Sequence, residues 1–231
     1  MGKTLALIHT SLIFLNVETM MRDIFQEVMP DVRRINIVDD SLLADVMARG
    51  VITEAVQQRM NAYVKSAETA GADAILSLCS SLGPAIDEAR KGVKIPVIKI
   101  DDAMTEKAIH AADRIGVLAT VATTLKPTVA LLQEKAEILK KAVEIQPGLV
   151  NGAFEILASG DKARHDALVS EAAGRLAGTA DLLVLAQASM SRLAPRLEQE
   201  TGLPVLSSPR LAIEYTKRVL DIQPERLDRI G

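Results

Sequence analysis

Cys79 is the only cysteine among the 231 residues, and it ends an apolar run directly before Ser80 and Ser81. A thiol at this point can be ionised by backbone N–H groups at the start of a following helix, and its thiolate is both a base and a nucleophile. The alternative is a cysteine that only packs, because free cysteine is among the most buried residue types. Taken alone, the sequence around Cys79 leaves both interpretations open.

Small polar residues follow several other apolar runs. In open parallel sheets, ligands bind beyond the carboxyl ends of the strands, so residues at these points are expected to line a site. Hydroxyl and backbone N–H groups favour a carboxylate or another small oxyanion. The predicted substrate-binding residues are Thr10, Ser11, Ser80, Ser81, Thr120, Thr123, Gln187, Ser189 and Ser208.

Four charged or titratable residues are candidates for a supporting role: His9, Asp39, Asp101 and Lys99. His9 could orient a substrate or be structural, and Lys99 could point into the site or pair with a carboxylate. Asp39 could act as a base or hold a substrate hydroxyl; the alternative is that it caps the helix that begins near Ser41. Asp101 has the same ambiguity.

The composition excludes several classes of protein. With 27 basic and 30 acidic residues the net charge is −3, and only 2% of residues are aromatic, so neither nucleic acid nor an anionic membrane is an expected partner. One cysteine excludes an intrachain disulfide and a cysteine-cluster metal site, and it fits a reducing compartment. Glycine-rich nucleotide motifs and metal-binding histidine spacings are absent. The broken N-terminal apolar run predicts no signal peptide or membrane span, so we expect a cytoplasmic protein.

Short apolar runs alternate with longer amphipathic segments, which predicts an α/β fold with a parallel sheet. The runs are apolar throughout, as expected of strands buried on both faces. The predicted strands are Thr4–His9, Arg34–Val38, Asp73–Cys79, Ile95–Ile100, Ile115–Ala119, Ala142–Gln146, Leu182–Gln187 and Pro204–Ser207. The predicted helices are Val17–Met29, Val51–Ala70, Asp102–Ala112, Pro127–Leu139, Lys162–Leu176, Met190–Glu200 and Pro209–Leu220.

The two halves of the chain match one another in order. Ala72–Cys79 matches Ala180–Gln187, and Ile95–Ile98 matches Leu203–Leu206, both at an offset of 108 residues. We therefore predict two homologous half-domains. Residues 1–112 contain Cys79, and residues 113–231 contain Gln187 and Ser189; the last helix of the second half-domain can pack on the first. The alternative is that any regular α/β chain matches itself this well.

Three segments resemble the aspartate/glutamate/hydantoin racemase superfamily, which also contains maleate isomerase and arylmalonate decarboxylase. They are Ala74–Gly83 (AILSLCSSLG), Arg114–Thr124 (RIGVLATVATT) and Asp181–Met190 (DLLVLAQASM), with support from Ile95–Ile100 (IPVIKI). The resemblance implies two pseudo-symmetric half-domains, each with a mainly parallel sheet flanked by helices, and an active site in the cleft between them. It also implies one cysteine from each half, acting on opposite faces of the substrate's α-carbon, without a metal or an organic cofactor.

The chain matches the first cysteine motif at Cys79 and departs from the second, where Gln187 or Ala188 takes the cysteine's position and Ser189 is the nearest hydroxyl. Glutamine cannot exchange a proton near neutral pH, so reversible transfer between two thiols is not expected. A single thiol can still act on one face of a substrate or add to a double bond or carbonyl.

We therefore expect a cofactor-independent racemase- or isomerase-like enzyme that acts beside a carboxylate or carbonyl of a small organic acid. Cys79 would be its sole thiol acid/base or nucleophile, and the chain would form a homo-oligomer. Two alternatives remain: a decarboxylase or other carbon–carbon lyase, and a non-catalytic binder of small acids.

Overall fold

The computed structural model of the protein describes residues 2–12 and 20–222. Its first sheet has four parallel strands in the order β2-β1-β3-β4. The strands are β1 (Thr4–His9), β2 (Arg33–Val38), β3 (Ala74–Ser77) and β4 (Val97–Lys99). The helices of this part are α1 (Met20–Val28), α2 (Ser41–Arg49), α3 (Glu54–Thr69) and α4 (Gly83–Ala89), with 3₁₀ turns at Ser80–Leu82 and Arg90–Gly92.

The second sheet repeats the first, with four parallel strands in the order β6-β5-β7-β8. The strands are β5 (Arg114–Ala119), β6 (Glu144–Leu149), β7 (Leu182–Leu185) and β8 (Val205–Ser207). The helices are α5 (Asp102–Ala111), α6 (Ala122–Ile138), α7 (Ala153–Ala158), α8 (Lys162–Ala177), α9 (Ala194–Thr201) and α10 (Ser208–Ile222), with a 3₁₀ turn at Ala188–Leu193. The predicted α/β class with two half-domains of parallel strands is therefore confirmed.

Each sheet is covered by helices because its central strands carry apolar side chains on both faces. On one face of the first sheet, Ile8 and Ile75 share a buried cluster with Met60 and Val64 of α3 and Ile86 of α4. Among the described residues, two buried clusters lie against the second sheet. One joins Val117 and Val184 to helices α5 and α6, and the other joins Leu118 and Leu185 to α8 and α9. Burial of these side chains is the main favourable free energy of folding for each unit.

Contacts divide the chain into two compact units. One contains the described residues up to Ile100 together with those from Ala212 onward, and the other is Asp101–Leu211. The first four residues of α10, Ser208–Leu211, therefore belong to the second unit and the rest of the helix to the first. The division of the sequence repeat at residue 112 remains a prediction.

All eight predicted strands are present, but two of them are not buried on both faces. β2 and β6 lie at sheet edges, and exposed or half-buried residues run along both strands. An edge strand has a partner on one side only, so polar residues such as Arg33 and Glu144 stay in solvent. β6 also extends to Leu149, beyond the predicted end at Gln146, because an edge strand accommodates Pro147, which lacks an N–H donor.

The helix predictions differ from the structure mainly at their ends. α6 begins at Ala122, five residues before the predicted start, so Pro127 lies inside the helix. The short helix α7 was not predicted, because six residues are too few to show a helical period. The predicted helix start at Val17 lies outside the described residues. Among those that are described, no helix is long and apolar enough to cross a membrane.

Candidate active site

Cys79 lies just past the carboxyl end of β3, a central strand of the first sheet. Ile8 of β1 pairs with Ser77 of β3, and the ladder continues by one hydrogen bond, from Leu78 N to Ile8 O at 3.0 Å. Thr10 and Cys79 are thus each two residues beyond a paired position. Thr10 is 3% exposed and Cys79 is half-buried, packed against the apolar cluster under α3 and α4. The sheet therefore brings these two predicted site residues together.

The chain turns sharply after Cys79. The backbone of Cys79 is extended (φ −142°, ψ 113°), and its carbonyl accepts a hydrogen bond from Leu82 N at 3.2 Å. The 3₁₀ turn Ser80–Leu82 leads into α4, where Pro84 occupies the first turn, a position that does not require its missing N–H. Ser80 and Ser81 are both buried in this turn, while Ser11 is half-buried after β1.

Asp39 follows the edge strand β2 and is held in an ion-pair cluster. Its Oδ2 accepts hydrogen bonds from Tyr63 Oη at 2.6 Å and from two nitrogens of Arg59, and its Oδ1 accepts from Ser41 Oγ at 2.8 Å. Burial would raise the pKa of Asp39, but the hydrogen bonds from Tyr63, Ser41 and Arg59 outweigh it and lower the pKa to about 2. An oxyanion this strongly stabilised is a poor base. Its Oδ1 also accepts a hydrogen bond from Ser41 N at 3.2 Å, at the first residue of α2, so the geometry fits the capping alternative better than proton transfer.

His9, the last residue of β1, is a neutral buried imidazole. Its side chain is 4% exposed, and Nε2 lies 2.9 Å from Asn36 Oδ1 on β2. Burial lowers the pKa of His9, and the hydrogen bond with Asn36 offsets this only in part. Within the described residues no partner is found for Nδ1. A hydrogen bond to a carbonyl oxygen places the proton on Nε2, so Nδ1 is an acceptor.

Lys99 and Asp101 lie on either side of the end of β4. Lys99 is buried, and its Nζ donates to Asp87 Oδ2 on α4 at 2.8 Å, which fits the predicted pairing with a carboxylate. Asp101 is also buried. Its backbone carbonyl accepts from Thr105 N and Thr105 Oγ1, both at 2.9 Å, and its side chain does not cap α5.

In the second unit, Thr120 and Gln187 are joined directly. Gln187 Oε1 accepts hydrogen bonds from Thr120 N at 2.5 Å and from Thr120 Oγ1 at 2.9 Å. A backbone N–H can only donate, so the atom facing it must be the amide oxygen. The amide nitrogen makes no hydrogen bond among the described residues, so its two N–H groups are the part of Gln187 available to a ligand.

The other predicted residues of this unit lie around the same edge. Thr123 is in the first turn of α6, and for its buried Oγ1 no partner is found in the described part of the chain. Ser189 is half-buried in the 3₁₀ turn after Gln187. Ser208 is buried and is the first residue of α10.

An ion pair near Gln187 was not predicted from the sequence. Arg192, in the 3₁₀ turn, donates two hydrogen bonds to Asp166 of α8 at 2.6 and 2.5 Å. Asp166 Oδ1 is also 2.8 Å from Nδ1 of the fully buried His165. The internal repeat does indicate that the turn after Gln187 is longer than the turn after Cys79. Eight positions separate Gln187 from Pro195, but only five separate Cys79 from Pro84. The extra residues lengthen the turn and include Arg192.

The positions of Cys79 and Gln187 are equivalent in the two units. Leu118 pairs with Leu185 as Ile8 pairs with Ser77, and Ala186 N donates to Leu118 O at 2.9 Å. Gln187 has an extended backbone like that of Cys79 (φ −121°, ψ 130°), and its carbonyl likewise accepts from the residue three positions on, Met190 N, at 3.0 Å.

Each unit is a parallel α/β unit of the same strand order with polar side chains at its carboxyl edge, the edge at which ligands bind in open α/β sheets. The chain belongs to the Asp/Glu/Hydantoin racemase family, whose sequence profile matches residues 15–216. The resemblance drawn from the cysteine motif and the internal repeat is therefore confirmed. No curated protein matches the sequence.

Several solved structures have the same fold. A putative Asp/Glu racemase from Yersinia pestis has a TM-score of 0.75 at 20% identity, over 94% of this chain and 99% of that one. A glutamate racemase from Bacillus anthracis has a TM-score of 0.71 at 16% identity, over 95% and 82%. An arylmalonate decarboxylase in which a glycine is replaced by cysteine has a TM-score of 0.62 at 16% identity, over 96% and 95%. At these identities the likeness establishes the fold alone.

Proposed function

We propose that the protein is a cofactor-independent racemase- or isomerase-like enzyme acting at the carbon next to a carboxylate or carbonyl of a small organic acid. Cys79 is its sole thiol acid/base or nucleophile. Membership of the Asp/Glu/Hydantoin racemase family supports the general reaction type. The position of Cys79 past the end of β3, at the start of a turn into α4, supports its role.

One observation carries the proposal: the residue equivalent to Cys79 in the second unit is a glutamine whose oxygen is fixed by Thr120. The fixed oxygen leaves the N–H groups of Gln187 to act as hydrogen-bond donors. A neutral amide can stabilise a carboxylate or a developing enolate but cannot take up a proton near neutral pH. We therefore assign all proton transfer to Cys79 and charge stabilisation to Gln187.

The reaction begins when the Cys79 thiolate removes the proton from the α-carbon. The electron pair of the C–H bond moves into the enolate; in the shared cleft that the family resemblance implies, the enolate oxygen would accept a hydrogen bond from Gln187 Nε2. The same thiol returns its proton to the same face of the carbon. Where the enolate is conjugated with a carbon–carbon double bond, the thiol delivers the proton to the far carbon of that system instead, and the double bond shifts. A substrate without such a bond regains a proton on its α-carbon and, because the thiol exchanges its proton with solvent, undergoes hydrogen exchange without racemisation.

A decarboxylase is the second candidate, and the single thiol favours it. In that reaction a carbon–carbon bond breaks, carbon dioxide leaves, and the electron pair stays on the α-carbon as an enolate. The Cys79 thiol then gives its proton to one face of that carbon, so no second acid is needed. The structural likeness to an arylmalonate decarboxylase agrees with this chemistry.

The test is a panel of single-enantiomer 2-substituted acids, unsaturated diacids and 2-substituted malonates, incubated with the full chain in deuterium oxide. Proton NMR measures exchange at the α-carbon and shift of the double bond, chiral chromatography measures optical purity, and released carbon dioxide is trapped. Cys79→Ala tests the thiol. Gln187→Leu removes the amide donor, and Gln187→Glu keeps its size but offers no N–H.

We expect exchange or isomerisation that Cys79→Ala abolishes, and a loss of kcat in both Gln187 variants. Removing one such donor typically costs about 10²–10³ in kcat. Release of carbon dioxide would instead identify the lyase. Full turnover in Cys79→Ala would overturn the assignment, and saturable binding of an acid without any turnover would identify the non-catalytic alternative.

A small organic carboxylate is the substrate class in this proposal, bound by the hydroxyl and N–H groups that follow the strands. The location in the cytoplasm, the homo-oligomer and the cleft that serves both edges remain predictions. Sedimentation of the full chain tests the oligomer directly.

A further inference from the structure

The pair Thr120–Gln187 shows which hydrogen-bond donors the carboxyl edge of a unit presents to the side chain that follows the neighbouring strand. Two donors, a backbone N–H and a hydroxyl on one residue, converge on a single oxygen at 2.5 and 2.9 Å. The threonine itself is buried, so its N–H and hydroxyl need a partner. Such a pair of donors is suited to an electron-rich atom and stabilises it more strongly if that atom carries a negative charge.

The first unit has the same arrangement of backbone, with Thr10 in the position of Thr120 and Cys79 in the position of Gln187. Each threonine and its partner are two residues beyond paired strand positions, Ile8 with Ser77 and Leu118 with Leu185. In both units the ladder ends with a hydrogen bond to the strand residue two positions before the threonine.

The direction of the Thr10 N–H follows from the strand. Amide groups alternate between the two sides of a strand, and Ile8, two residues earlier, is bonded to the β3 side, where its carbonyl accepts from Leu78 N. The N–H of Thr10 therefore points toward β3 and Cys79 beyond its end. In the second unit the N–H of Thr120 points in the same way toward β7 and Gln187. Thr10 is also as buried as its counterpart, at 3% against 6% exposure.

We infer that Thr10 stabilises the Cys79 thiolate by donating its backbone N–H and its hydroxyl to Sγ, as Thr120 does to Gln187 Oε1. Thr10 is then a hydrogen-bond donor to the thiolate, in addition to any contact that it makes with the substrate. The inference rests on the proposed function only in taking Cys79 as the reactive group. A thiol with two such donors ionises at a lower pH than an ordinary cysteine, because both hydrogen bonds favour the charged form.

The single cysteine makes the experiment direct, since every thiol signal comes from Cys79. The rate of alkylation by iodoacetamide is measured by mass spectrometry from pH 5 to pH 10 for the full chain and for four variants. Thr10→Val removes the hydroxyl at nearly constant shape, Thr10→Ala is a second variant that removes it, and Thr10→Ser restores it. Thr120→Val is the matched control, because it removes the equivalent hydroxyl from the second unit.

We expect the midpoint of the wild-type profile to lie below about 8.5, the ordinary cysteine value. Thr10→Val and Thr10→Ala should raise the midpoint so that alkylation at pH 6 slows by about threefold to tenfold, since one pKa unit is a factor of ten in thiolate. The plateau rate at high pH should stay within about twofold, which separates thiolate stabilisation from altered access. Thr10→Ser and Thr120→Val should keep the wild-type midpoint.

An unchanged midpoint in folded Thr10→Val and Thr10→Ala would overturn the inference, as would a wild-type midpoint at the ordinary value. An equal shift in Thr120→Val would also overturn it, because the effect would then not be local to Cys79. Turnover is not part of this measurement. A shift that depends on Thr10, in a protein that exchanges no α-proton, would refute the proposed function and leave this inference standing.

Discussion

Replacing Asp39 by asparagine should destabilise the protein by about 2 kcal/mol at pH 7. The substitution keeps an oxygen that can accept from Ser41 but removes the charge that holds Arg59 and Tyr63. The magnitude follows from the pKa of Asp39, which is about 2 in the folded protein against an ordinary value of 3.8. Each pKa unit corresponds to about 1.4 kcal/mol, and the side chain is only 12% exposed, so solvent screens little of this.

The sign of the pH dependence follows from the same pKa values. The folded pKa lies below the unfolded one, so the stabilisation is fully present above about pH 4 and is lost as the pH falls toward 2. Asparagine imitates the protonated carboxyl group. The difference in unfolding free energy between the wild type and Asp39→Asn should therefore shrink to roughly 1 kcal/mol at pH 3.

Urea unfolding monitored by circular dichroism at pH 7 and pH 3 measures both values. Asp45→Asn is the matched control, because Asp45 binds the same arginine through one bond of 2.8 Å but its side chain is 47% exposed. An exposed pair of this kind contributes about 0.2–1 kcal/mol. Equal losses in the two variants, or a loss in Asp39→Asn that does not change with pH, would contradict the account of Asp39 as a half-buried, strongly paired carboxylate.

Three further substitutions test packing and the ion pair beside Gln187. Gly116→Ala should destabilise by about 1–3 kcal/mol in urea unfolding, because the new Cβ would lie 2.7 Å from Leu183 Cδ2 in the middle of the second sheet. Gly174→Ala, on the exposed face of α8 with open space around it, should instead stabilise by up to about 1 kcal/mol. Asp166→Asn should cost about 1–3 kcal/mol at pH 7. Burial acts to raise the pKa of Asp166, but hydrogen bonds from Arg192 and His165 lower it overall, so this cost should fall in acid; a cost independent of pH would contradict that origin.

The predictions from sequence succeeded where the pattern is local. Central strands such as β1 and β3 are uninterrupted apolar runs, because both of their faces are covered, and their order along the chain is enough to indicate two parallel sheets. The edge strands β2 and β6 are less buried than their apolar runs predict, whereas the edge strand β4 is buried throughout, because an apolar run does not say how much of a strand the helices cover. Helix ends were least certain, as the early start of α6 before Pro127 illustrates.

In the candidate site, too, the sequence indicates some residues, while the contacts of others are visible only in the structure. Cys79 and Gln187 were marked by the sequence, since each follows an apolar run and each occupies the same place in the repeat. The partners of the acidic residues were not marked. Arg59 is 20 positions from Asp39 and Arg192 is 26 positions from Asp166, and no spacing rule connects residues on separate elements.

The sequence by itself therefore determined the class of fold and the family, because both depend on residue type and order along the chain. The tertiary structure decided what those residues can do. Hydrogen bonds from Thr120 fix which end of the Gln187 amide is available, and the cluster around Asp39 lowers the pKa of that carboxyl group to about 2. Both results come from groups far apart in sequence, which only the register of the strands and the packing of the helices bring within bonding distance.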